Sequence, residues 1–262
     1  MPHRLTEITD WPNCPLWLRA LVVEFLETMW RIGGIYKPAT EILANLLQDS
    51  GKRRIVDLCS GGGGPLLSLL EPIDQRMQVP VEVVLTDLHP RSEILEPVAQ
   101  RNPQQLSWWP NPVDATRPPE LPEGIYTIFE GLHHLEKAQV RELLEHCKTT
   151  HRTIAAFEIS TKTLHNVLGL PFIPLAVLAF TPWIRPFSVR RLLLTYLVPI
   201  APLAVLWEGA ISIWRSHSFR SLQAMANRHS TDQYQFSVKR VFRMGTAMVV
   251  LTGQSTERSD AF

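Results

Sequence analysis

The chain has 262 residues, a formal net charge of +1 at pH 7 and 45% hydrophobic residues. This length suits one large domain or a domain with an insertion, and the near balance of charge argues against nucleic acid as a partner. Cys14, Cys59 and Cys147 are far apart, which excludes a disulfide framework and a CxxC zinc site. The sequence therefore indicates a reducing, cytoplasmic compartment, and we expect no bound metal.

The chain begins with a helical extension, residues 1–50. Leu16–Ile32 has apolar residues at helical spacing and is followed by Gly33 and Gly34, a helix stop. Pro38–Gln48 repeats the apolar spacing and predicts a second helix.

Residues 51–160 alternate between strand-like and helix-like segments. The predicted strands are Arg54–Cys59, Val81–Leu88, Leu106–Val113, Ile125–Glu130 and Thr153–Ile159. The predicted helices are Pro65–Leu70, Arg91–Gln100 and Lys137–Lys148. Such alternation is typical of βαβ units and of a parallel sheet covered on both faces.

Residues 231–262 differ from this pattern. The strand-like runs Tyr234–Phe242 and Thr246–Thr252 are separated by little more than Arg243, Met244 and Gly245. No helix fits between them, so they predict an antiparallel hairpin. The predicted fold is therefore α/β, with a doubly wound, mainly parallel, seven-stranded sheet that ends in an antiparallel hairpin.

The segment RRIVDLCSGGGGP, at Arg53–Pro65, places four glycines directly after a hydrophobic run that ends in Asp57. A strand, a glycine-rich turn and a helix bring backbone N–H groups to one point. Asp87 ends the next strand, where an acid can bind both ribose hydroxyls. These features predict a nucleoside ligand; the alternative is a flexible turn. The run is not a P-loop, because no Gly-Lys-Ser/Thr follows it.

Four segments resemble motifs of the class I S-adenosylmethionine-dependent methyltransferases: VDLCSGGGGP, VVLTDLHP, PVDATRP and IYTIFEGLHHL. The resemblance implies a Rossmann-like methyltransferase fold and S-adenosyl-L-methionine as cofactor. It also implies a set of cofactor-binding residues: Asp57, Ser60, Gly61, Gly62, Gly63, Asp87, Leu88, Asp114, Ala115, Glu130 and Gly131. Tyr36, near the N-terminal helices, is a further cofactor-binding candidate that could close over the cofactor; the alternative is a packing role. Ser60 departs from the pattern, since many members have the first loop glycine at this position.

Transfer of a methyl group to oxygen or nitrogen often needs a general base. His133 and His134 follow the fourth strand directly, where the acceptor should lie, and a histidine suits this role. The alternative is that both are structural. Glu158, at the end of the fifth strand, is a further catalytic candidate, and Glu130 could orient a histidine instead of binding the cofactor.

Residues 161–230 carry long uncharged runs, of which TLHNVLGLPFIPLAVLAFTPWI is the first. Three interpretations stay open: a helical lid over the active site, a helix lying in a membrane surface, and membrane-spanning helices. Spanning is disfavoured by the arginines of the connecting loop. Tyr196, Trp207, Glu208 and Arg215 are the substrate-binding candidates, and we expect Glu208 to pair with a cation, with Arg215 on the same helix face.

The sequence therefore predicts O-, N- or C-methylation of a small, hydrophobic or lipid-like acceptor. The alternatives are a non-catalytic S-adenosylmethionine-binding module and a membrane-associated partner protein. The expected location is the cytoplasm, with peripheral contact at the inner face of the membrane as an open option. The sequence leaves the oligomeric state undetermined.

Overall fold

The computed structural model describes residues 5–11, 13–243 and 246–256. Its residues separate into two units. The first contains the described residues of Met1–Gly34 together with Ser160–Ser216, and the second contains Ile35–Ile159 and the described residues of His217–Phe262. These units cut across the sequence segments 1–50 and 161–230, because each unit combines parts of the chain that are distant in sequence.

The second unit is built on a seven-stranded sheet. Its strands are β1 (Arg54–Asp57), β2 (Glu82–Leu85), β3 (Leu106–Trp108), β4 (Ile125–Phe129), β5 (Ile154–Glu158), β6 (Tyr234–Arg243) and β7 (Thr246–Ser255). Their order in the sheet is β3-β2-β1-β4-β5-β7-β6. Strands β1 to β5 run parallel, whereas β7 is antiparallel to both β5 and β6. The predicted sheet and its terminal hairpin are confirmed; Met244 and Gly245 of the expected turn lie outside the described residues.

Strand β1 lies at the centre of the parallel part of the sheet. Ile55 pairs with Val83 of β2 on one side and with Ile125 of β4 on the other. All five residues of β4 and all five of β5 are buried, as expected for parallel strands covered on both faces. The order of the strands reverses at β1, and open α/β sheets bind ligands in the crevice at such a point.

Ten α-helices occur in the described residues: α1 (Leu16–Gly33), α2 (Lys37–Ser50), α3 (Leu66–Met77), α4 (Ser92–Ala99), α5 (Lys137–Thr149), α6 (Leu164–Gly169), α7 (Ile173–Phe180), α8 (Val189–Leu192), α9 (Ile200–Arg215) and α10 (Phe219–His229). Helices α2 to α5 and α10 belong to the second unit, where α2 packs on α3 and α10 packs on α5 and β6. A capping box between Glu136 and Gln139 fixes the start of α5.

The largest differences between predicted and observed element boundaries are at the third strand and at α3. The third strand ends at Trp108 rather than Val113, because Pro110 and Pro112 have no N–H for a sheet ladder. Helix α3 continues through Pro72 to Met77 instead of ending at Leu70. A proline inside a helix removes one backbone hydrogen bond, and burial of Leu69, Leu70 and Ile73 offsets this loss.

The first unit has its own hydrophobic core. Buried side chains of α1, α7 and α9 form it together with Ile184: Leu21, Val22, Phe25, Val177, Ala201, Ala204 and Val205. Short 3-10 turns at Leu170–Phe172 and Thr181–Trp183 extend α6 and α7, and a π-helix at Leu193–Leu197 follows α8. The predicted helical character of the apolar segment is therefore observed, whereas its role as a lid stays a prediction.

Parts of the first unit are apolar enough to interact with a membrane. Leu164–Trp183 is long and hydrophobic enough to cross one, with a mean hydropathy of 1.7, and the pair Val189–Leu197 and Ile200–Arg215, bent by 79°, also qualifies by length and composition. Core helices of soluble proteins can have the same length and composition.

Candidate functional site

Acidic side chains lie at or just beyond the ends of four of the parallel strands, at one edge of the sheet. Asp57 ends β1, Asp87 follows β2 by two residues and Glu130 directly follows β4. Glu158 ends β5, the next strand in the sheet. Because the carboxyl ends of parallel strands meet at the same edge, these four carboxyl groups lie along one edge of the sheet, where open α/β sheets bind ligands.

The glycine run forms a turn that requires glycine at specific positions. Gly61, Gly63 and Gly64 have φ values of 56°, 89° and 44°, in the left-handed region that glycine adopts without strain. A Cβ atom on Gly63 would lie 2.6 Å from Leu67 Cδ1, whereas one on Gly61 or Gly64 would meet no atom within 4 Å. The loop thus presents bare backbone to open space at Gly61 and Gly64, next to the N-terminus of α3.

Ser60 has a structural reason to replace the usual glycine. Its hydroxyl donates to the Asp57 carbonyl oxygen at 2.8 Å and accepts from the Thr86 N–H at 3.1 Å. The Ser60 N–H also donates to the Thr86 carbonyl oxygen at 2.9 Å. Ser60 therefore joins the ends of β1 and β2 and holds the loop in place.

Asp57 is a buried acid with one strong side-chain partner. The Thr127 hydroxyl, in the middle of β4, donates to Asp57 Oδ1 at 2.5 Å. Burial raises the pKa of Asp57 to about 7; hydrogen bonds from Thr127 and Ser60 oppose this rise, and the charge of Asp87 adds to it. Sequence reasoning missed Thr127, although a hydroxyl in the apolar strand IYTIF was a visible signal.

Asp87 connects the glycine loop to the chain that follows β2. Its two carboxylate oxygens accept from the Gly61 N–H and the His89 N–H, both at 2.9 Å. A carboxylate offers about four lone-pair positions, so Asp87 can accept further hydrogen bonds from a ligand. Its neighbour Leu88 is exposed.

Asp114 and Ala115 lie beyond β3. The Val113 N–H donates to the Asp87 carbonyl oxygen at 2.8 Å, which brings this segment to the same edge of the sheet. Asp114 is exposed and accepts from the Thr116 N–H and hydroxyl, both at 2.8 Å, while Ala115 is buried. The acid thus stabilises its own turn.

Tyr36 and Glu130 form a hydrogen-bonded pair. The Tyr36 hydroxyl donates to Glu130 Oε1 at 2.7 Å, and the Ile159 N–H donates to the same oxygen. Tyr36 is buried and packs edge-on against Phe129. Burial, followed by the negative charge of Glu130, raises the pKa of Tyr36. Tyr36 therefore remains a neutral donor that orients Glu130.

His133 and Glu158 form a buried imidazole–carboxylate pair. His133 Nδ1 lies 2.9 Å from Glu158 Oε2, and the Leu132 N–H donates to Glu158 Oε1 at 2.7 Å. Both side chains are buried. Because the carboxylate faces Nδ1, that nitrogen donates to it, which leaves Nε2 as the ring atom that could accept a further proton.

The turn that carries His133 is held from two further directions. A Cβ atom on Gly131 would lie 2.6 Å from Ile128 Cγ2 and 3.0 Å from Cys59 Cβ, so only glycine fits here without a shift. His217 Nε2 lies 3.1 Å from the Leu132 carbonyl oxygen and 3.0 Å from that of Leu135. Sequence reasoning missed His217, because a contact across 85 residues leaves no local pattern.

His134 differs from its neighbour in environment. The two imidazole rings have centroids 4.3 Å apart at an angle of 35°, but His134 is only half-buried. Of the two histidines, His133 is the one that faces the carboxylate of Glu158.

Glu130, His133 and Glu158 have potential metal-ligand atoms within 4.8 Å of one another. Hydrogen bonds from backbone and side-chain groups account for this cluster: Glu130 receives the Tyr36 hydroxyl, and Glu158 receives the Leu132 N–H and faces the imidazole. These contacts explain the group without an ion, and the expectation of no bound metal stays a prediction.

The substrate-binding candidates lie in the first unit, whereas the cofactor candidates lie in the second. The expected pairing of Glu208 with Arg215 is wrong: Glu208 accepts from the Thr9 N–H at 2.8 Å, and Arg215 pairs with Asp10 at 2.9 Å. Seven residues correspond to about 10 Å along a helix, too far for direct contact.

The other two substrate candidates are also engaged within the first unit. Trp207 Nε1 donates to the Thr6 carbonyl oxygen at 3.1 Å. The Tyr196 hydroxyl donates to the Leu178 carbonyl oxygen at 2.5 Å. A role for Tyr196, Trp207, Glu208 and Arg215 in binding an acceptor stays a prediction.

The described architecture matches solved structures of low sequence identity. The CMeT domain of the citrinin polyketide synthase is 14% identical, with a TM-score of 0.51, and the match covers 85% of this chain and 52% of that one. A putative O-methyltransferase from Nostoc punctiforme PCC 73102 is 15% identical, with a TM-score of 0.51, over 94% and 63% of the two chains. The chain has the class I methyltransferase fold.

Sequence comparison adds no closer relative. The sequence matches no protein-family model and no curated protein. The chain spans between 52% and 63% of the length of the two matched structures. At this level of identity the likeness shows the fold alone.

Proposed function

We propose that the chain transfers a methyl group from S-adenosylmethionine to a small, hydrophobic or lipid-like acceptor. The observation that carries the proposal is the buried His133–Glu158 pair, at the same sheet edge as the glycine loop. The glycine loop and the residues beside it would hold a nucleoside cofactor at this edge, and the His133–Glu158 pair would accept a proton.

The residues at the end of β1 and β2 fit the cofactor. Gly61 and Gly64 leave open space at their Cα atoms, which allows a ligand to approach the backbone. Asp87 is fixed by the Gly61 N–H and retains lone pairs for ribose hydroxyls. Asp114 and Ala115 follow the segment joined to Asp87 and would lie near the adenine, as the motif resemblance implies.

S-adenosylmethionine supplies an electrophilic methyl group on a positively charged sulfur. Glu158 holds the imidazole of His133 with its Nδ1 proton towards the carboxylate, so that Nε2 can accept a proton from an acceptor hydroxyl or amine. His217 and Gly131 hold the turn that positions His133. His133 is thus the proposed general base, and Glu158 its positioning residue.

The proposed acceptor class rests on the apolar chain that follows β5. Many large side chains between Leu164 and Leu203 are exposed, and an exposed apolar surface suits contact with a lipophilic molecule. Tyr196 and Trp207 remain the aromatic candidates for acceptor contact. We infer a cytoplasmic location, since Cys14, Cys59 and Cys147 are free thiols.

Two other functions remain as competing hypotheses. A non-catalytic module would bind the cofactor without turnover, and a membrane-associated partner protein would act through its apolar segment alone. The buried imidazole–carboxylate pair favours catalysis, because a binding module has no need of a positioned base.

Calorimetric titration with S-adenosylmethionine and S-adenosylhomocysteine tests the cofactor assignment. Asp87→Ala should weaken binding more than about tenfold, given the strength of hydrogen bonds to a charged group. Glu93→Ala removes an exposed carboxylate from α4 and should leave the affinity unchanged. Absent binding by the folded wild-type protein, or equal affinity of Asp87→Ala, would overturn the assignment.

Transfer of radiolabelled methyl groups into a lipid extract and into an aqueous extract tests turnover and acceptor class. His133→Asn and Glu158→Gln should each lower turnover at least about a hundredfold while cofactor affinity is retained. His134→Asn, a neighbour on the same turn, should have a smaller effect. Equal loss of affinity and turnover would make His133 structural, and label in the aqueous extract alone would contradict the acceptor class.

A further inference from the structure

The outer side of the first unit carries an unusual number of exposed apolar side chains. Leu164, Val167, Leu168, Phe172 and Leu175 are between 49% and 75% exposed. Their spacing of i, i+3, i+4, i+8 and i+11 places them on one side of the α6–α7 run. Opposite them, Val177 is buried in the core of the unit. This run therefore has one inward and one outward apolar side.

A second exposed apolar stripe lies beside the first. Val189, Leu193 and Leu197 of α8 and the π-helix are each at least 51% exposed and follow helical spacing. The Tyr196 hydroxyl donates to the Leu178 carbonyl oxygen, which ties the π-helix to α7. We call the exposed apolar residues of Leu164–Val198 the apolar surface.

The segment that carries the apolar surface has formal charges of one sign only. No Asp or Glu occurs between Glu158 and Glu208, whereas this interval contains Lys162, Arg185, Arg190 and Arg191. Lys162, Arg185 and Arg190 are exposed, and Arg191 is buried and paired with Glu24. Exposed leucines and phenylalanines bordered by cations are complementary to a bilayer with anionic head groups.

Contacts within the first unit favour lying in a membrane surface over crossing it. Val177 and Ile184 pack in one core with Leu21 and Phe25 of α1. That helix also carries Arg19, Glu24, Glu27 and Arg31, which cannot enter hydrocarbon at acceptable cost. The α6–α7 run is therefore held against a charged helix, so only its outer side is available to lipid.

A second copy of the chain is a less suitable occupant. A symmetric dimer through the apolar surface would bring two sets of arginines into one desolvated interface without an acid from the same segment. Anionic lipid supplies the missing opposite charge, and Trp183, 67% exposed, has the amphipathic ring that favours the head-group region.

We propose that the apolar surface docks the protein on the face of an anionic membrane, with Phe172 and its neighbours inserted at the head-group level. The inference does not depend on methyl transfer. Its partner is a lipid surface, recognised by apolar insertion and by the positive charge of Lys162, Arg185 and Arg190.

Sedimentation of the full chain with unilamellar vesicles tests the proposal. The vesicles contain phosphatidylcholine alone, or phosphatidylcholine with about one third phosphatidylglycerol. Phe172→Glu should weaken binding at least about tenfold, since it removes one inserted side chain and adds a negative charge. Phe242→Glu is the matched control, because Phe242 is 71% exposed on β6 of the second unit; its binding should be unchanged.

The charge contribution has its own pair of variants. Arg185→Gln should weaken binding to anionic vesicles about fivefold and leave binding to phosphatidylcholine unchanged. Arg220→Gln, an exposed arginine of α10 in the second unit, is its control. Circular dichroism verifies the fold of each variant.

Three results would overturn the proposal. The first is failure of the folded wild-type protein to bind either vesicle. The second is equal binding by Phe172→Glu and Phe242→Glu. The third is loss of a dimer in Phe172→Glu with unchanged vesicle binding, which would identify the apolar surface as a self-association interface.

Discussion

The stability of the second unit should decrease with rising pH because of Asp57, and Asp57→Asn should remove that dependence. Burial raises the pKa of this carboxyl from 3.8 to about 7. A group whose pKa is raised on folding contributes stability that is fully present below its unfolded pKa. That contribution is lost as the pH rises through the folded pKa, here between about 4 and 7. The asparagine amide oxygen can still accept from Thr127, so the variant removes the charge and keeps the hydrogen bond.

The magnitude follows from the size of the shift. One pKa unit corresponds to about 1.4 kcal/mol, and from pH 5 to pH 7 the folded carboxyl retains a proton that the unfolded chain has released. Between pH 5 and pH 8 the free energy of unfolding of the wild-type protein should therefore fall by about 3 kcal/mol relative to Asp57→Asn.

Guanidinium denaturation at several pH values between 5 and 8 measures this difference. Other titrating groups affect both proteins equally, so their contributions cancel in the difference. One of them is His217, the pKa of which is lowered by burial. Asp49→Asn, an exposed carboxylate of α2, should follow the wild-type curve. Parallel curves for the wild type and Asp57→Asn would refute the assignment of a raised pKa to Asp57.

Three further substitutions test particular contacts. Gly131→Ala places a Cβ atom 2.6 Å from Ile128 Cγ2 and should lower stability by about 1–3 kcal/mol in thermal unfolding; an unchanged midpoint would contradict the close approach. Ser60→Ala removes the hydroxyl that binds the Thr86 N–H and should cost about 1–2 kcal/mol, with weaker cofactor binding in calorimetry. Glu208→Gln removes a carboxyl group whose pKa is raised to about 8 by burial. The midpoint of thermal unfolding of this variant, relative to that of the wild type, should therefore rise from pH 5 to pH 8. A difference that stays constant with pH would contradict this.

Most of the sheet could be predicted because its information is local. Each of β1, β2, β4 and β5 is a short apolar run bounded by a turn signal, and β4 and β5 are buried throughout. The hairpin of β6 and β7 was evident because the separating segment is too short for a helix. The predicted boundaries were least accurate near prolines: α3 continues through Pro72, and β3 ends two residues before Pro110.

Only part of the candidate site could be predicted from local sequence patterns. Asp57, the glycines and Asp87 stand in one short strand–turn–helix unit and the strand after it, so their spacing reveals them. The contact of His217 with the Leu132–Leu135 turn joins positions 82 to 85 residues apart. The predicted pairing of Glu208 with Arg215 was wrong because the Glu208 carboxylate accepts hydrogen bonds from Thr9, in the N-terminal segment, rather than from its own helix.

The sequence by itself determined the class of sheet, the order of its elements and the glycine loop, because hydrophobic periodicity and turn chemistry act over a few residues. The tertiary structure decided which side chains share a hydrogen bond: Tyr36 with Glu130, His133 with Glu158 and Thr127 with Asp57. It also decided which apolar residues face outward in Leu164–Val198, a segment in which apolar residues predominate. Burial and pairing depend on packing between distant parts of the chain, and composition alone does not specify them.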